Sequence, residues 1–594
     1  MNIMNKWLCL IILNGATNVF GLIDYDFNIF ENLNQIQNIY HNESYLYEAL
    51  KTYRTNLVKV RDSVTKDYLQ NAKHSETLDH THPINVFNKI KQWMRLGLAL
   101  SSKEIKQSRK DLKEVLNEKM TSFPKFEDAK SALRGLLYLF ETYGVDPIEA
   151  SQGKVKGVEL PHTKIEFESR EVLDAIDFGV MGEIALAENR FASAVDMFKA
   201  YDVLIPRHME AYPDAKNILG FFEGQKKKLI DLNNQYLMKR KCFVGKHFHT
   251  TKKLLNPDLT PKKNQGKMAP KHFTADLGSN KGLDYFFQST CRGESMDTAE
   301  VLIRLKRETL KNPPKCTLLH HNNPFLRLAP FPLEIVSTSP YIVIFHGILS
   351  EEEIQFLIEY SKPRLSINRD ESNRGLDPVH SADAGKVRIV AKSVQCWLKD
   401  IAYKSNTRDD SSLVAQFIEN GIDHDTEYRV LLPIMYKLSK KIEMATRMNV
   451  TGKYSSTDYQ TTNYGLGGLC EAHIDPHGYQ EGLEIPPERE GLKLTGDMFA
   501  TFMAWLNDVE AGGATAFLDP GHEIAVWPTK GSAAFWLDLT PIGFRDSRTL
   551  HAGCPILKGS KWILNKWIFS YDQFQNYPCG LNPRDPYEGF KGFY

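Results

Sequence analysis

The sequence lacks an excess of either charge: 74 Lys and Arg stand against 73 Asp and Glu in 594 residues. That balance leaves no electrostatic case for nucleic acid as the main partner, since such binding needs a basic surface. The chain also lacks, past its first residues, an apolar run of the ~20 residues that cross a bilayer. Its single early run, Trp7 to Leu13, follows Lys6 and precedes a mixed, small and polar stretch. Residues 1–21 therefore read as a cleaved secretory leader, with a buried N-terminal helix as the plain alternative. Low-complexity tracts and long charge blocks are absent, and residues 589–594 spell no retention signal, so a lumenal protein would be held in place by something else. Cysteine is scarce at eight, and loss of Cys9 with the leader leaves an odd number in a compartment where disulfides form. Asn42-Glu43-Ser44 and Asn449-Val450-Thr451 are glycosylation acceptors that fit secretion.

What is present divides into a helical half and a half of short strands. Leu46, Leu50, Tyr53, Leu57, Val60 and Val64 recur at steps of four and three, the seam of a coiled coil. Either another helix of the chain or a second copy would cover it. Residues 22–160 form one expected helical domain, closed by a linker over Gly153 to Pro161. Beyond it, Met181-Gly182, Ala194, Phe198 and Pro206 stand at tetratricopeptide spacing, where small residues let two helices approach and the Pro ends the second. Residues 161–235 are thus a repeat-like domain in which aromatic residues are sparse, Tyr201 and Tyr212 being the obvious ones. A structural helical spacer is the competing reading.

Residues 236–334 read as a linker and pre-catalytic segment, flexible over Lys239 to Lys281. A strand over Ile342 to His346 and a capping box at Ser350 open a third domain, 335–580, followed by a tail at 581–594. Polar insertions at 404–427 and 478–496 are expected as loops near the mouth of its site. Strands are expected at Phe499 to Leu506, Ala514 to Phe517, Ile524 to Trp527, Ser532 to Leu537 and Lys561 to Phe569. Aromatic and β-branched residues alternating with polar ones suit a two-sheet jelly roll enclosing a site. The fold class is multidomain α + β.

The chemistry gathers between Tyr464 and Trp567. His473 and Asp475 are two apart, so an extended strand sends both side chains to one face, where they can share a metal. His551 offers a second imidazole, and a hairpin over Lys558 to Ser560 would return Lys561 beside it. Two imidazoles and one carboxylate form the facial triad of non-heme Fe(II) oxygenases, with half the coordination sphere open. A fixed lysine suits the distal carboxylate of a 2-oxo acid. Cys470, at odd spacing from His473, is expected on the opposite face, as a packed thiol or partner of Cys396. Lys558 and Lys566 are expected to face solvent; His477 and His522 are expected in loops.

Ala511-Gly512-Gly513-Ala514-Thr515-Ala516-Phe517, Val526-Trp527-Pro528-Thr529-Lys530-Gly531-Ser532 and the Trp562/Trp567 strand, set around these residues, closely resemble the catalytic domain of the collagen prolyl 4-hydroxylase α subunit. The resemblance implies a double-stranded β-helix, a dimerising N-terminal region and a peptide-substrate-binding domain. It implies Fe(II) on His473, Asp475 and His551, the C5 carboxylate of 2-oxoglutarate on Lys561, Tyr464 and Thr515 at the same pocket, and ascorbate to rescue oxidised iron. It implies disulfides Cys291–Cys316 and Cys554–Cys579. It also implies protein disulfide isomerase as β subunit of an α2β2 tetramer in the endoplasmic reticulum lumen, hydroxylating C4 of proline in X-Pro-Gly repeats. Ala472 and Leu550 depart from the family's usual Pro and Arg before the two His ligands, without removing a ligand. Alternatives are a prolyl hydroxylase of another secreted protein, or a non-catalytic binding or assembly subunit; a lysyl hydroxylase would use the same triad.

Overall fold

A computed structural model describes residues 40, 43, 81–100, 126–156, 159–161, 165–211, 216–238, 254–262, 287–293, 315–367, 393–398, 431–452, 454–476, 492–519 and 523–580. The leader, Asn42, the seam from Leu46 to Val64, Tyr212, Cys242, His477, His522, the 404–427 insertion and most of the 478–496 insertion lie outside the described residues.

The helical half comprises α1 (Pro83–Leu100), α2 (Phe126–Tyr143), α3 (Ala175–Ala187), α4 (Phe191–Ala211) and α5 (Lys216–Met238), with a small hairpin of β1 (Lys154–Lys156) and β2 (Glu166–Glu168) between α2 and α3. Asp174 starts α3 with a full capping box, accepting from the Ile176 and Asp177 amides. Gly179 and Gly182 let α3 approach its neighbours: a Cβ would stand 2.6 Å from the Phe222 ring at the first and 2.8 Å from Phe198 at the second. Pro206, expected to end a helix, lies inside α4, which runs on to Ala211. Helices on both sides of residue 160 share one buried cluster, from Ile84 and Phe87 through Leu136 and Tyr143 to Phe198 and Leu229.

The second half is antiparallel. Its strands are β3 (Lys315–Leu319), β4 (Phe331–Thr338), β5 (Tyr341–Phe345), β6 (Ser366–Ile367), β7 (Val394–Leu398), β8 (Tyr459–Tyr464), β9 (Cys470–His473), β10 (Met498–Trp505), β11 (Ala511–Gly512), β12 (Thr515–Phe517), β13 (Ile524–Val526), β14 (Ala533–Leu537), β15 (His551–Gly553), β16 (Ile556–Lys558) and β17 (Lys561–Phe569). Each of the six strands expected with stated ends, Ile342 to His346 included, falls within one residue of them. Nine strands form a major sheet in the order β3-β4-β5-β14-β10-β17-β8-β7-β6; four form a minor sheet, β13-β12-β15-β9.

Alternation along the strands sorts side chains between two cores. Ile342, Tyr464, Met503, Trp505, Trp536 and Ile563 of the major sheet meet Phe517 and Val526 of the minor sheet in the space between them. The opposite face of the major sheet, with Phe502, Phe535, Trp562 and Leu564, packs on α6 (Glu351–Ser361) and α7 (Leu432–Thr446). The outer face of the minor sheet, with Ala514, Ala516 and Ala552, is covered by residues Phe287 and Cys291.

The halves touch directly. Leu466, Ala511 and Leu557 belong to the helical cluster, the Tyr143 hydroxyl donates to the Pro555 carbonyl at 2.6 Å, and a Cβ at Gly467 would lie 2.6 Å from the Gly135 backbone. Gly467 has φ +57°, so both space and conformation call for glycine there.

The disulfide expectation is corrected: Cys291 bonds to Cys554, 263 residues away, while Cys316 and Cys579 are free and exposed. Cys316 belongs to β3, the edge strand of the major sheet, whereas Cys291 lies on the outer face of the minor sheet, where Cys554 follows β15. Cys396 and Cys470 are also free.

Candidate metal and co-substrate site

The site opens between the sheets, where β9 and β15 pair with His473 opposite His551. Their ring centroids are 4.4 Å apart. His473 Nε2 lies 3.4 Å from Asp475 Oδ1 and His551 Nε2 lies 3.8 Å from Asp475 Oδ2. One ligand atom from each of the three falls within 4.8 Å of the others, the one such cluster among the described residues.

Local backbone fixes the ring tautomers. His473 Nδ1 is 2.8 Å from the Glu471 carbonyl and His551 Nδ1 is 2.9 Å from the Thr549 carbonyl. A carbonyl oxygen only accepts, so both Nδ1 atoms carry hydrogen and Nε2 is the nitrogen each ring offers to a metal. Thr549 is itself held: its hydroxyl donates to the Asp546 carbonyl, and the Asp546 carboxylate accepts from the Arg548 amide and guanidinium. Asp546 thereby orients the turn before His551.

Electrostatics separate the three ligands. Burial works against a charged His473 ring, but Cys470 and Asp475 beside it raise its pKa well above the ordinary range. Burial and the neighbouring His473 push His551 down to about 4. For Asp475 burial would raise the pKa, and His551, His473 and the Thr501 hydroxyl outweigh it and hold the carboxyl well below the usual range.

Lys561 sits in the same interior, 3% exposed, at the start of β17 opposite Tyr464. Its Nζ donates to the Thr515 hydroxyl at 3.2 Å and lies 5.9 Å from the Tyr464 ring centroid. Burial pulls its pKa from 10.5 to about 7. Lys561 and His551 are not hairpin neighbours as expected: β15 belongs to the minor sheet and β17 to the major one, so they approach across the interior. Tyr464 and Thr515 are both buried there. Lys566 is corrected from solvent-facing to fully buried, its Nζ donating to the Thr457 carbonyl at 2.8 Å and lying over the Tyr459 ring. Five residues separate it from Lys561, and odd spacing on a strand turns it to the other face. Lys558 pairs with Glu510 at 2.9 Å. Asn449 is exposed, its side-chain nitrogen donating to the Asp572 carbonyl.

Two features were hidden in the sequence. Cys470 faces inward, its Sγ 3.7 Å from His473 Nδ1 and packed against the inter-sheet core. Three residues of β9 span the length of two in β15, because the register shifts between the His473–His551 and Cys470–Gly553 pairs. That bulge cancels the odd spacing. Behind Asp475, the Thr501 hydroxyl lies 2.6 Å from Asp475 Oδ2 and 2.7 Å from Asp538 Oδ2, and the Trp536 indole N–H donates to Asp538 Oδ1 at 2.8 Å. The available clue was Thr501 itself, the one hydroxyl in the fully buried run Met498–Trp505.

Residues 32–157 match the prolyl 4-hydroxylase alpha-subunit, N-terminal region, and residues 459–569 match the 2OG-Fe(II) oxygenase superfamily. The chain is similar to prolyl 4-hydroxylase subunit alpha-2 of Gallus gallus, 26% identical over 98% of this chain and 100% of that one. It is similar to subunit alpha-1 of Rattus norvegicus, 26% identical over 93% of this chain and 96% of that one. The viral collagen prolyl hydroxylase of Paramecium bursaria Chlorella virus-1, in its 2OG complex, aligns with 40% of this chain and 99% of its own at 20% identity, with a TM-score of 0.23.

Proposed function

From the premise that the chain belongs with the α subunits of prolyl 4-hydroxylase, we propose that it hydroxylates C4 of peptidyl prolines in collagen-like X-Pro-Gly repeats, using 2-oxoglutarate and O2 and giving succinate and CO2. The observation that carries the reading is the donor set: two imidazoles turned to offer Nε2 and one carboxylate, gathered within 4.8 Å. That set fits Fe(II) and leaves positions open for other ligands. When bound, iron with 2-oxoglutarate supplies the oxidising power to convert a proline C–H to C–OH.

The chain's own residues bind, orient and exclude water. His473, Asp475 and His551 would hold the metal, their rings fixed by the Glu471 and Thr549 carbonyls. Charged Lys561 would take the distal carboxylate of 2-oxoglutarate, with Thr515 and Tyr464 lining the same pocket. Ile342, Met503, Trp505 and Ile563 wall that space, and their low dielectric strengthens a lysine–carboxylate contact.

The facing sheets we read further as a double-stranded β-helix, and α3 with α4 as a tetratricopeptide-like unit for proline-rich peptide. Residues 1–21 would lead the chain to the endoplasmic reticulum lumen, where Asn42 and Asn449 would be glycosylated and protein disulfide isomerase would serve as β subunit of an α2β2 tetramer. Dimerisation would run through the N-terminal helices, and ascorbate would restore oxidised iron. The apolar run after Lys6 supports the leader, the acceptor tripeptides support glycosylation, and the resemblance supports the rest.

The test is 2-oxoglutarate decarboxylation by chain co-expressed with a disulfide isomerase, with Fe(II) and ascorbate, with and without a (Pro-Pro-Gly) repeat peptide. Peptide-stimulated succinate matched by 4-hydroxyproline, and abolished by His473→Ala, is expected. Succinate without hydroxyproline would point to another proline-containing substrate. Folded, iron-loaded protein giving none would favour a binding or assembly subunit.

A further inference from the structure

The indole of Trp505 ends in a donor with nothing to donate to. Its side chain is 0% exposed, in the core between the sheets with Tyr464, Met503, Ile563 and Trp536, and its Nε1 has no acceptor among the described residues. An indole N–H only donates, so another donor cannot satisfy it, and a buried donor left unmet keeps the full cost of its lost hydration. Trp536, in the same core, gives its own N–H to Asp538 at 2.8 Å. Two indoles of one core are thus provided for differently.

Strand register places the unmet donor beside Lys561. β10 pairs with β17 so that Trp505 stands opposite Ile563, and Lys561 is two residues from Ile563 on the same face. Such diagonal neighbours lie about 7–8 Å apart, within reach of long and aromatic side chains. From the facing sheet comes Thr515, whose hydroxyl accepts from Lys561 at 3.2 Å and lies 3.9 Å from the sulfur of Met503, the inward residue before Trp505 on β10. An ammonium carries three hydrogens, and Thr515 takes one. Lys561 and Trp505 therefore turn only donors to the interior.

A carboxylate satisfies both, because it accepts on two oxygens and carries the charge that Lys561 calls for. We propose that the Trp505 indole N–H is a second donor to the distal carboxylate of the 2-oxo acid, taking one oxygen while Lys561 takes the other, so that the pair selects a diacid over its terminal amide. The proposal rests on the co-substrate reading above. A terminal amide has one oxygen and one NH2; whichever way it is rotated, the NH2 meets a donor and leaves it unpaired in the interior. Lys561 alone does not impose that choice, since its flexible ammonium can follow a single oxygen. The rigid ring of Trp505 fixes where the second oxygen has to be, which makes it a specificity-determining residue.

The test uses the full chain loaded with Zn(II), which has no redox chemistry and permits no turnover. Calorimetry compares 2-oxoglutarate with its terminal amide, 2-oxoglutaramate, on the parent chain, Trp505→Phe and Lys561→Met. Trp505→Phe should weaken 2-oxoglutarate about tenfold, as the loss of a hydrogen bond to a charged group does. The amide should bind that variant nearly as it binds the parent, so the preference for the diacid shrinks. An equal loss for both ligands would assign Trp505 to packing alone and overturn the proposal, and so would an unchanged 2-oxoglutarate affinity beside a weakened Lys561→Met. A second measurement needs no folded variant to bind: in isotope-labelled parent chain, the Trp505 indole N–H resonance should move downfield when 2-oxoglutarate is added. Its absence from Trp505→Phe or from Trp505→Leu assigns it, and an unmoved resonance at saturation overturns the proposal. The co-substrate reading fails separately, and takes the proposal with it, if 2-oxoglutarate does not bind the parent or binds Lys561→Met equally well.

Discussion

Lys91 in the helical half and Lys561 in the sheet half are both buried, 5% and 3% exposed, and they are held in opposite ways. Lys91 Nζ lies 2.6 Å from Asp177 and 3.5 Å from Asp174, and Arg95 adds a second cation 3.6 Å from Asp174. Lys561, among the described residues, donates only to the Thr515 hydroxyl. The electrostatics follow. Burial and Asp174 push Asp177 up to about 6 against the pull of Lys91, while burial alone carries Lys561 down to about 7. A buried cation with matched carboxylates holds helices together, and one with a single neutral partner is an unmet demand for an anion. The same chain thus uses one residue type for structure and for recognition, and partner count distinguishes them.

The largest expected effect breaks the first member of the pair. Lys91→Met leaves Asp177 buried without its lysine, while the partly exposed Asp174 keeps Arg95, and should cost about 3 kcal/mol of stability. Denaturant unfolding of the variant measures it, and a change under about 1 kcal/mol would mean that the pair contributes nothing net. Lys561→Met should move the other way in stability, because it removes a poorly partnered cation from the interior. Its cost should appear in function: about a ten- to hundredfold rise in the 2-oxoglutarate concentration needed, the loss of one charge-assisted hydrogen bond of ~1.5–3 kcal/mol. A variant that loses stability and keeps its co-substrate affinity would place Lys561 with Lys91 as a structural charge.

A pH series sharpens the same contrast. The folded pKa of Lys561 lies below the ordinary 10.5, so between pH 7 and 10.5 the unfolded chain binds the extra proton and this lysine's contribution to stability rises with pH. Binding runs against that trend, since a carboxylate needs the charged form. Apparent 2-oxoglutarate affinity in the Co(II)-loaded protein should fall about tenfold per pH unit above 7. Lys561→Arg, which stays charged, should flatten the slope; an equally steep slope in that variant would assign the pH effect to another group.

How much of this was readable from sequence depends on how far apart the interacting residues lie. Strands β10, β12, β13, β14 and β17 are local patterns of alternation and turn residues, and they appear within a residue of where the sequence puts them. His473 with Asp475 is likewise a local spacing, although β9 ends at His473 and Asp475 lies in the bend that follows, and the structure brings His551 and Lys561 to them. What failed was set by partners distant in the chain. Cys470 was turned inward by a bulge whose cause is the pairing of β9 with β15. The Cys291–Cys554 bond spans 263 residues, and cysteine spacing alone does not decide such a pairing. Thr501 and Asp538 are ordinary buried residues until Asp475, 26 positions before Thr501, is seen against them. Lys566, five residues along the strand from Lys561, could have been placed on the opposite face by alternation, but burial on that face required knowing that α7 covers it.

The contrast between the halves has one point where it is joined, and there the smallest effect is expected. Tyr143, at the end of α2, is fully buried and donates its hydroxyl to the Pro555 carbonyl at 2.6 Å, an oxygen that also accepts the Gly513 amide at 3.1 Å. Pro555 begins the passage from His551 to Lys561, the segment that must cross from the minor sheet to the major one. Tyr143→Phe deletes a single neutral hydrogen bond and leaves the ring packing, so it should cost only about 1 kcal/mol. Because Gly513 still donates to the Pro555 carbonyl, the oxygen is not orphaned and the strands should keep their register. If the helical half only supports the sheets, the variant should lose that stability with Co(II) and 2-oxoglutarate affinities unchanged. If either affinity falls severalfold, the helical half helps to set the spacing between His551 and Lys561, and the division between structural and recognising halves has to be drawn through Pro555.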